Sequence, residues 1–307
     1  MIITNKTVCA IAEELGFNSV GFARSGKLVK ETGALKEWVA NKYNAGMAYM
    51  ADTIDKRENP ELVFEGVKSV ISLSSNYYID EDFSDDTRKG KISRYAWGRD
   101  YHFILWEKLN ILIERLKEID RNFDAKSFVD SGPVMDKAWA IKAGLGWMGK
   151  HSNIISKSFG SWFFISTVLT NYEFEYNEPM EDLCGNCTAC ITACPTEAII
   201  KPFVVDANKC ISYQTIENKG EISPDLKGEF SNYIFGCDLC QDVCPWNIKF
   251  ARQTADKEFI PEIKNKELSH DEIKNMTEED FRKRFKESPI KRAKLKGLKR
   301  NADFVLE

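Results

Sequence analysis

The sequence has no apolar run close to the roughly 18 residues that a membrane-spanning helix needs. Its opening residues also lack the basic stretch followed by an apolar stretch that marks a secretory leader. Positive charge is not in excess, since 43 lysines and arginines face 47 aspartates and glutamates over 307 residues. These absences predict a cytoplasmic protein with no membrane partner, and the acidic balance alone gives no reason to expect a nucleic-acid partner.

Cysteine is scarce outside one region, because Cys9 stands apart and the other eight lie between Cys184 and Cys244. Disulfide frameworks are typical of short secreted chains, so this crowding in a long chain without a leader indicates metal binding. Cys9 lies on the apolar face of a predicted first helix, where we expect it to pack in the core.

Three segments of different sequence pattern are predicted. Residues 1–175 interleave helices and strands without a regular βαβ order, residues 176–250 carry the cysteines, and residues 251–307 are polar, helical and basic. Helices are predicted over Gly33 to Tyr49 and, most clearly, over Tyr101 to Ile119. The expected fold class is therefore α+β, with a mixed α/β domain first.

The cysteines follow the spacing of a bacterial ferredoxin. In the string CGNCTACITACP the first three thiolates bind one [4Fe–4S] cluster, and the fourth binds a second cluster. The string CDLCQDVCP and one detached cysteine supply the remaining ligands. The predicted ligand sets are Cys184, Cys187, Cys190 and Cys244 for one cluster, and Cys194, Cys210, Cys237 and Cys240 for the other.

A pair of zinc sites is the alternative, because CxxC pairs also suit tetrahedral zinc. Zinc does not need the CxxCxxCxxxCP run, which favours the iron–sulfur interpretation. Two clusters in series form a one-electron relay, and such relays feed a redox centre held elsewhere.

Several strings, taken together with the eight cysteines, resemble the epoxyqueuosine reductase family over nearly the whole chain. They are GMAYM from Gly46, ISRYAWGRDYH from Ile92, FVDSGPVMDKAWAIKAGLGWMGKHSNII from Phe128, GSWFF from Gly160 and SPIKRAKLKGLKRNA from Ser288. The resemblance implies a base-off cobalamin in the first domain, two [4Fe–4S] clusters in the second, and reduction of epoxyqueuosine to queuosine in tRNA. It also implies an external low-potential electron donor and a monomeric enzyme.

The resemblance places the proton donor at Asp130, in the VDSGP string after a predicted strand. A general acid must hold a proton at neutral pH, which burial beside an apolar corrin face would favour. Asp136, in the helix that follows, is the nearest alternative, although it would also suit a cap or an exposed position on that helix. The alternative role for Asp130 is that of a turn residue before Gly132 and Pro133.

Cobalamin contacts are expected at six positions within the family-like strings. These are Arg57, Asp130, Asn153, Ile154, Ser212 and Gln214. The only three histidines, His102, His151 and His270, lie outside any DxHxxG string, the source of a lower histidine ligand to cobalt. The resemblance and this absence together favour binding without such a ligand.

Ten lysines or arginines face one glutamate between Arg282 and Arg300. A solvated helix face is one interpretation of this run. An enzyme that acts on a tRNA anticodon must hold the phosphate backbone, so the resemblance favours phosphate binding instead. Longer family members continue into HEAT-like repeats, whereas this sequence stops at DFVLE, and we expect a truncated HEAT-like segment.

Two other functions are compatible with the same cofactors. A corrinoid reductive dehalogenase usually carries a twin-arginine export signal and uses a tyrosine acid, and neither is evident in the sequence. A non-enzymatic cobalamin-handling or electron-transfer protein would not need Asp130.

Overall fold

An antiparallel sheet with helices on both faces forms the first part of the molecule. The computed structural model describes residues 2–261 and 265–307. The elements of this part are α1 (Asn5–Glu14), β1 (Ser19–Arg24), α2 (Val29–Ala40), α3 (Tyr49–Asp52), α4 (Ile54–Glu58), β2 (Ser69–Asn76), β3 (Lys89–Ile92), α5 (Tyr101–Ile119), β4 (Ala125–Phe128), α6 (Asp136–Lys142), β5 (Trp147–Met148), β6 (Ile154–Ile155) and β7 (Phe163–Thr170).

The central strand β2 is buried along its whole length. The strand order is β1-β2-β7-β4, and every neighbouring pair is antiparallel. Because side chains alternate along a strand, Ile71 and Leu73 pack with α1 and α5 on one face, while Val70 packs with α6 on the other. The predicted α+β class is confirmed, and the sheet contains no parallel βαβ unit within the described residues.

Helix α5 has the bounds that its apolar stripe predicts, from Tyr101 to Ile119. The Asp100 carboxylate caps it by accepting a hydrogen bond from the amide of His102. Its buried aliphatic residues each contribute about 1.5–3 kcal/mol by leaving water. They are Ile104, Leu105, Leu109, Leu112 and Leu116.

The helix predicted over Gly33 to Tyr49 is interrupted. Helix α2 ends at Ala40, and Lys42 and Ala45 have positive φ angles before α3 begins. Tertiary contacts with the cysteine region replace the helical bonds here. The amide of Gly46 donates to the hydroxyl of Tyr213 over 2.8 Å, and the carbonyls of Lys42 and Tyr43 accept bonds from Asn208 and Ala207.

The cysteine region contains short helices and strands joined by loops. They are α7 (Ala189–Thr192), β8 (Ile199–Lys201), β9 (Val204–Val205), α8 (Ile211–Ile216), β10 (Tyr233–Phe235), α9 (Leu239–Asp242) and α10 (Pro245–Phe250). Cys210 and Cys244 occupy the N-cap positions of α8 and α10 with nearly the same backbone angles. The chain therefore presents two thiols in the same local geometry.

The last segment folds back onto both others. Its elements are β11 (Glu267–Ser269), α11 (His270–Asn275), α12 (Glu278–Arg284) and α13 (Lys294–Leu306). Strand β3 pairs in parallel with β10 and antiparallel with β11, so one sheet takes strands from all three predicted segments. The predicted segment boundaries at residues 175 and 250 mark changes in sequence pattern, and this sheet joins strands from both sides of each boundary. Residues 262–264 of the tail lie outside the described residues.

In the ranges that the structure describes, no helix is both long enough and apolar enough to span a bilayer.

Candidate active site and cluster sites

Four of the predicted cluster ligands line one cavity. Cys184, Cys187, Cys190 and Cys244 surround a space of about 170 Å³. The remaining lining consists of Lys150, His151, Ile155, Leu183, Ala189, Pro245 and Trp246. The structure therefore brings together the set that cross-ligation predicts, although Cys244 is 54 residues from its nearest partner in sequence.

Nitrogen donors surround these sulfurs. Burial raises the pKa of the Cys184 thiol, while the amide of Lys150 lowers it by donating a hydrogen bond. Burial likewise raises the pKa of Cys244, and the amides of Asn247 and Trp246 lower it. Such N–H donors stabilise thiolate, the form that binds metal.

The other four cysteines form a second group. Burial raises the pKa of the Cys240 thiol, and nearby Cys210, Cys190 and Cys194 raise it further. Burial also raises the pKa of the Cys237 thiol, and its neighbours Cys240 and Cys210 raise it further. Cys190 belongs to the first set, yet it raises the pKa of Cys240 in the second set. The two groups of cysteines therefore lie next to each other.

The spacing of the thiols favours iron–sulfur clusters over zinc. Tetrahedral zinc at about 2.3 Å from each sulfur would hold the sulfurs about 3.8 Å apart. Among the described residues, no three cysteine sulfurs lie within 4.8 Å of one another. A [4Fe–4S] cluster spreads its four thiolates over the corners of a cube, so the wider arrangement fits it.

Asp130 directly follows β4 in a left-handed backbone conformation, with φ of +57°. The hydroxyl of Tyr101 donates to its Oδ2 atom over 2.5 Å, and the Tyr101 ring stacks on Phe164 at 4.1 Å. No backbone N–H of the described chain donates to the Asp130 carboxylate, so it does not form the alternative Asx-type turn. Contrary to the expectation of burial, its side chain is exposed.

Asp136 differs from Asp130 in environment. It begins α6, and its Oδ1 atom accepts a 2.5 Å hydrogen bond from the hydroxyl of Thr167. Burial raises the pKa of Asp136 to about 7, and the nearby Asp130 carboxylate adds to the shift. It is therefore neither a cap nor an exposed helix residue, and it lies behind Asp130 against the sheet.

Two cations accompany the carboxylates. Arg57 donates to the hydroxyl of Thr53 and the carbonyl of Val134, and burial lowers its pKa. Lys137, which sequence reasoning missed although it lies in a family-like string, donates to the carbonyl of Ser152 and to Oδ1 of Asn153. Burial lowers the pKa of Lys137, whereas Asp130, Cys240, Asp136 and Cys210 raise it.

The charges that shift the pKa of Lys137 come from the carboxylate site and from the second cysteine group, so Lys137 lies near both. Its side chain is accessible to solvent.

The remaining predicted cobalamin contacts have structural partners of their own. The side chain of Ile154 is 2% exposed and packs in the core, which leaves only its backbone for a ligand. The amide of Ser212 donates to the thiol of Cys210. Gln214 donates to the carbonyl of Asn208 and accepts from Asn218. As cobalamin contacts, these positions stay predictions.

The basic tail divides into two groups of residues. Arg292 forms a two-bond ion pair with Glu217, Lys291 pairs with Asp100, and Arg300 donates to the carbonyls of Gln214, Asn218 and Gly220. These side chains hold the fold together. In the described ranges, Lys286, Lys294 and Lys296 take part in no ion pair.

The tail also reaches the carboxylate site. The Glu217 carboxylate raises the pKa of Arg292 most, and the Asp130 carboxylate contributes to the same shift. Burial raises the pKa of Tyr49, and the nearby charges of Glu217, Arg292, Asp130 and Arg57 also shift it.

Comparison with known proteins gives a consistent result. A family model described as epoxyqueuosine reductase QueG, DUF1730, matches residues 57–131, and a 4Fe-4S double cluster binding domain matches residues 183–247. The epoxyqueuosine reductase of Cellulophaga algicola is 46% identical over 96% of this chain and 96% of its own length.

Solved structures are similar over almost the whole chain. A crystal structure of epoxyqueuosine reductase with an epoxyqueuosine-modified tRNA-Tyr stem loop has a TM-score of 0.90 and 28% identity. The epoxyqueuosine reductase of Bacillus subtilis, solved with its aspartate-bearing catalytic loop swung out of the active site, has a TM-score of 0.91 and 28% identity. Each comparison covers 98% of this chain and 80% of the other.

Proposed function

The chain belongs to the epoxyqueuosine reductase family of oxidoreductases, and we propose that it reduces epoxyqueuosine in tRNA to queuosine, with electrons passing through two [4Fe–4S] clusters to cobalamin. One feature supports the electron path: burial lowers the pKa of Lys137, while Asp130 and the cysteines Cys240 and Cys210 all raise it, so Lys137 lies near both sites. A redox cofactor beside Lys137 would therefore lie between the candidate acid and one cluster.

The ligand sets that we propose are those of the cross-ligation pattern. Cys184, Cys187, Cys190 and Cys244 share one cavity. Besides burial, thiols of the second set raise the pKa values of Cys210, Cys237 and Cys240, and Cys194 contributes to two of these shifts. The thiols adjoin through Cys190 and Cys240, which supports transfer of single electrons between the two sites.

The polar side chains near Asp130 also suit cobalamin. The amide arms of a corrinoid require hydrogen-bonding partners, which Lys137, Asn153 and Arg57 offer. His270 pairs with Asp303 through Nε2, which supports binding without this histidine as a ligand. When bound, a reduced corrinoid would supply two electrons to the substrate.

Asp130 is the proposed proton donor. Removal of the epoxide oxygen as water breaks two C–O bonds and consumes two electrons and two protons. The exposed carboxyl of Asp130 would deliver the first proton to the oxygen, while the Tyr101 hydroxyl orients the carboxyl through Oδ2. Its left-handed backbone stores strain, as at many functional loops, and an aspartate-bearing catalytic loop is described for the Bacillus subtilis relative.

The tRNA would approach over the tail. Arg292 lies near Asp130, and the lysines outside the ion pairs continue the positive surface from there. We further propose a monomer that acts in the cytoplasm with an external low-potential electron donor.

The experiment is anaerobic turnover with epoxyqueuosine-containing tRNA, read by mass spectrometry of the nucleoside. The proposal predicts conversion by the chain reconstituted with iron, sulfide and cobalamin, and none without cobalamin. A cobalamin-handling protein would bind the corrinoid and both clusters without any conversion.

A further inference from the structure

His151 lies in the wall of the cavity formed by Cys184, Cys187, Cys190 and Cys244. It belongs to the turn between β5 and β6, which the amide of Gly149 closes by donating to the carbonyl of Asn153. A polar residue in such a turn is normally solvated. His151 is instead only 4% exposed, so its ring points into the protein.

The hydrogen bonds fix which ring nitrogen carries the proton. Nδ1 of His151 accepts a 3.1 Å bond from the amide of Asn153, so it holds no proton of its own. The proton of the neutral ring therefore lies on Nε2. Nε2 is fully buried and has no hydrogen-bond partner among the described residues, the cysteine sulfurs included.

The surroundings leave the sulfurs of a bound cluster as the candidate acceptors. Apart from His151 and Lys150, the cavity is lined by apolar side chains and the four cysteines. The Lys150 ammonium is a donor, and it already binds the carbonyls of Gly185 and Cys187. A buried N–H group without an acceptor is costly, so the lining points to an acceptor inside the cavity, where the sulfurs of a bound cluster would lie.

Gly149 shows that the ring is held in this position. A Cβ atom at Gly149 would lie 2.8 Å from Cε1 of His151 and 3.1 Å from the carbonyl oxygen of Asn153. The missing side chain therefore allows the imidazole to pack directly against the turn backbone.

We propose that Nε2 of His151 donates a hydrogen bond to a sulfur of the cluster bound by Cys184, Cys187, Cys190 and Cys244, and so raises its reduction potential. The inference rests on the proposed ligation of that cluster. Reduction adds negative charge to the sulfurs, so an N–H donor stabilises the reduced form more than the oxidised form. His151 is a positioning residue that acts through the cluster.

The test is an anaerobic redox titration of the reconstituted full chain, followed by electron paramagnetic resonance. We expect His151→Phe to keep about eight irons and to make one cluster about tenfold harder to reduce, a shift of about 59 mV for one electron. The other cluster should keep its potential. His151→Gln places an amide N–H near the position of Nε2 and should restore most of the shift.

Two comparisons make the outcome decisive. His270→Phe, the same substitution far from the cysteines, should leave both potentials unchanged. Unchanged potentials in His151→Phe with eight irons would overturn the proposal, and so would an equal shift of both clusters. If His151→Phe loses four irons, His151→Gln must hold them at a near-native potential, and its failure to do so would also refute the hydrogen bond. Fewer than about eight irons in the unaltered chain would instead refute the proposed ligation.

Discussion

The cluster sites and the carboxylate site are built in opposite ways. The cluster ligands come mostly from two short strings, and four of them line a cavity of about 170 Å³. The carboxylate site is open, and Asp130, Tyr101, Lys137 and Arg292 reach it from four separate elements. Local spacing therefore determines the first kind of site, whereas the second exists only after the sheet and the tail have folded together.

The largest expected effect is at Cys244, the ligand most distant in sequence from its set. Cys244→Ala should remove about four irons and abolish turnover, because the first cluster loses a thiolate. Iron analysis with electron paramagnetic resonance of the variant checks this. Loss of the other cluster would show that the cross-ligation is wrong and that each string holds its own cluster.

The second-largest effect is expected at Asp130. Asp130→Asn should lower turnover of epoxyqueuosine tRNA by about 10²–10⁴-fold while both clusters and cobalamin stay bound, because the amide cannot supply the proton. Asp136→Asn is the matched control, since it alters the neighbouring buried carboxyl. A greater loss in Asp136→Asn than in Asp130→Asn would move the acid to Asp136.

A substitution of Tyr101 tests whether turnover depends on the orientation of the Asp130 carboxyl. Tyr101→Phe removes the hydroxyl that donates to Asp130 but keeps the ring stacked on Phe164. We expect kcat to fall about tenfold with little change in KM, because a misdirected carboxyl affects proton transfer and not binding. An equal rise in KM would indicate that Tyr101 contacts the tRNA instead.

The smallest effect concerns the tail. Replacement of Lys286, Lys294 and Lys296 by glutamate should weaken tRNA binding and flatten its dependence on salt, because these lysines are outside the ion pairs. Lys291→Ala, which breaks a pair with Asp100, is the control and should alter stability more than the salt slope. A salt slope that stays the same in the triple variant would identify the run as a solvated helix face.

The sequence predicts best where the information is local. The apolar stripe defines α5 to the residue, and the cysteine spacing groups the thiols that the structure brings together. The predicted helix over Gly33 to Tyr49 fails because the chain from Lys42 to Gly46 binds the cysteine region, which no local pattern reveals.

Long-range contacts account for the other differences. The sheet of β3, β10 and β11 joins residues far apart in sequence, so the composition of the segments could not predict it. Charge counting could not separate Arg292 and Arg300, which stabilise the fold, from the lysines available to a partner. Lys137 and His151 escape sequence reasoning because their roles depend on what their side chains face after folding.

The most direct test of the central claim measures the product itself. The chain, reconstituted anaerobically with iron, sulfide and cobalamin, should remove one oxygen from epoxyqueuosine in tRNA when a low-potential donor is added. Conversion that requires cobalamin and fails in Asp130→Asn is the predicted result. An unchanged nucleoside, despite about eight bound irons and a bound corrinoid, would contradict it.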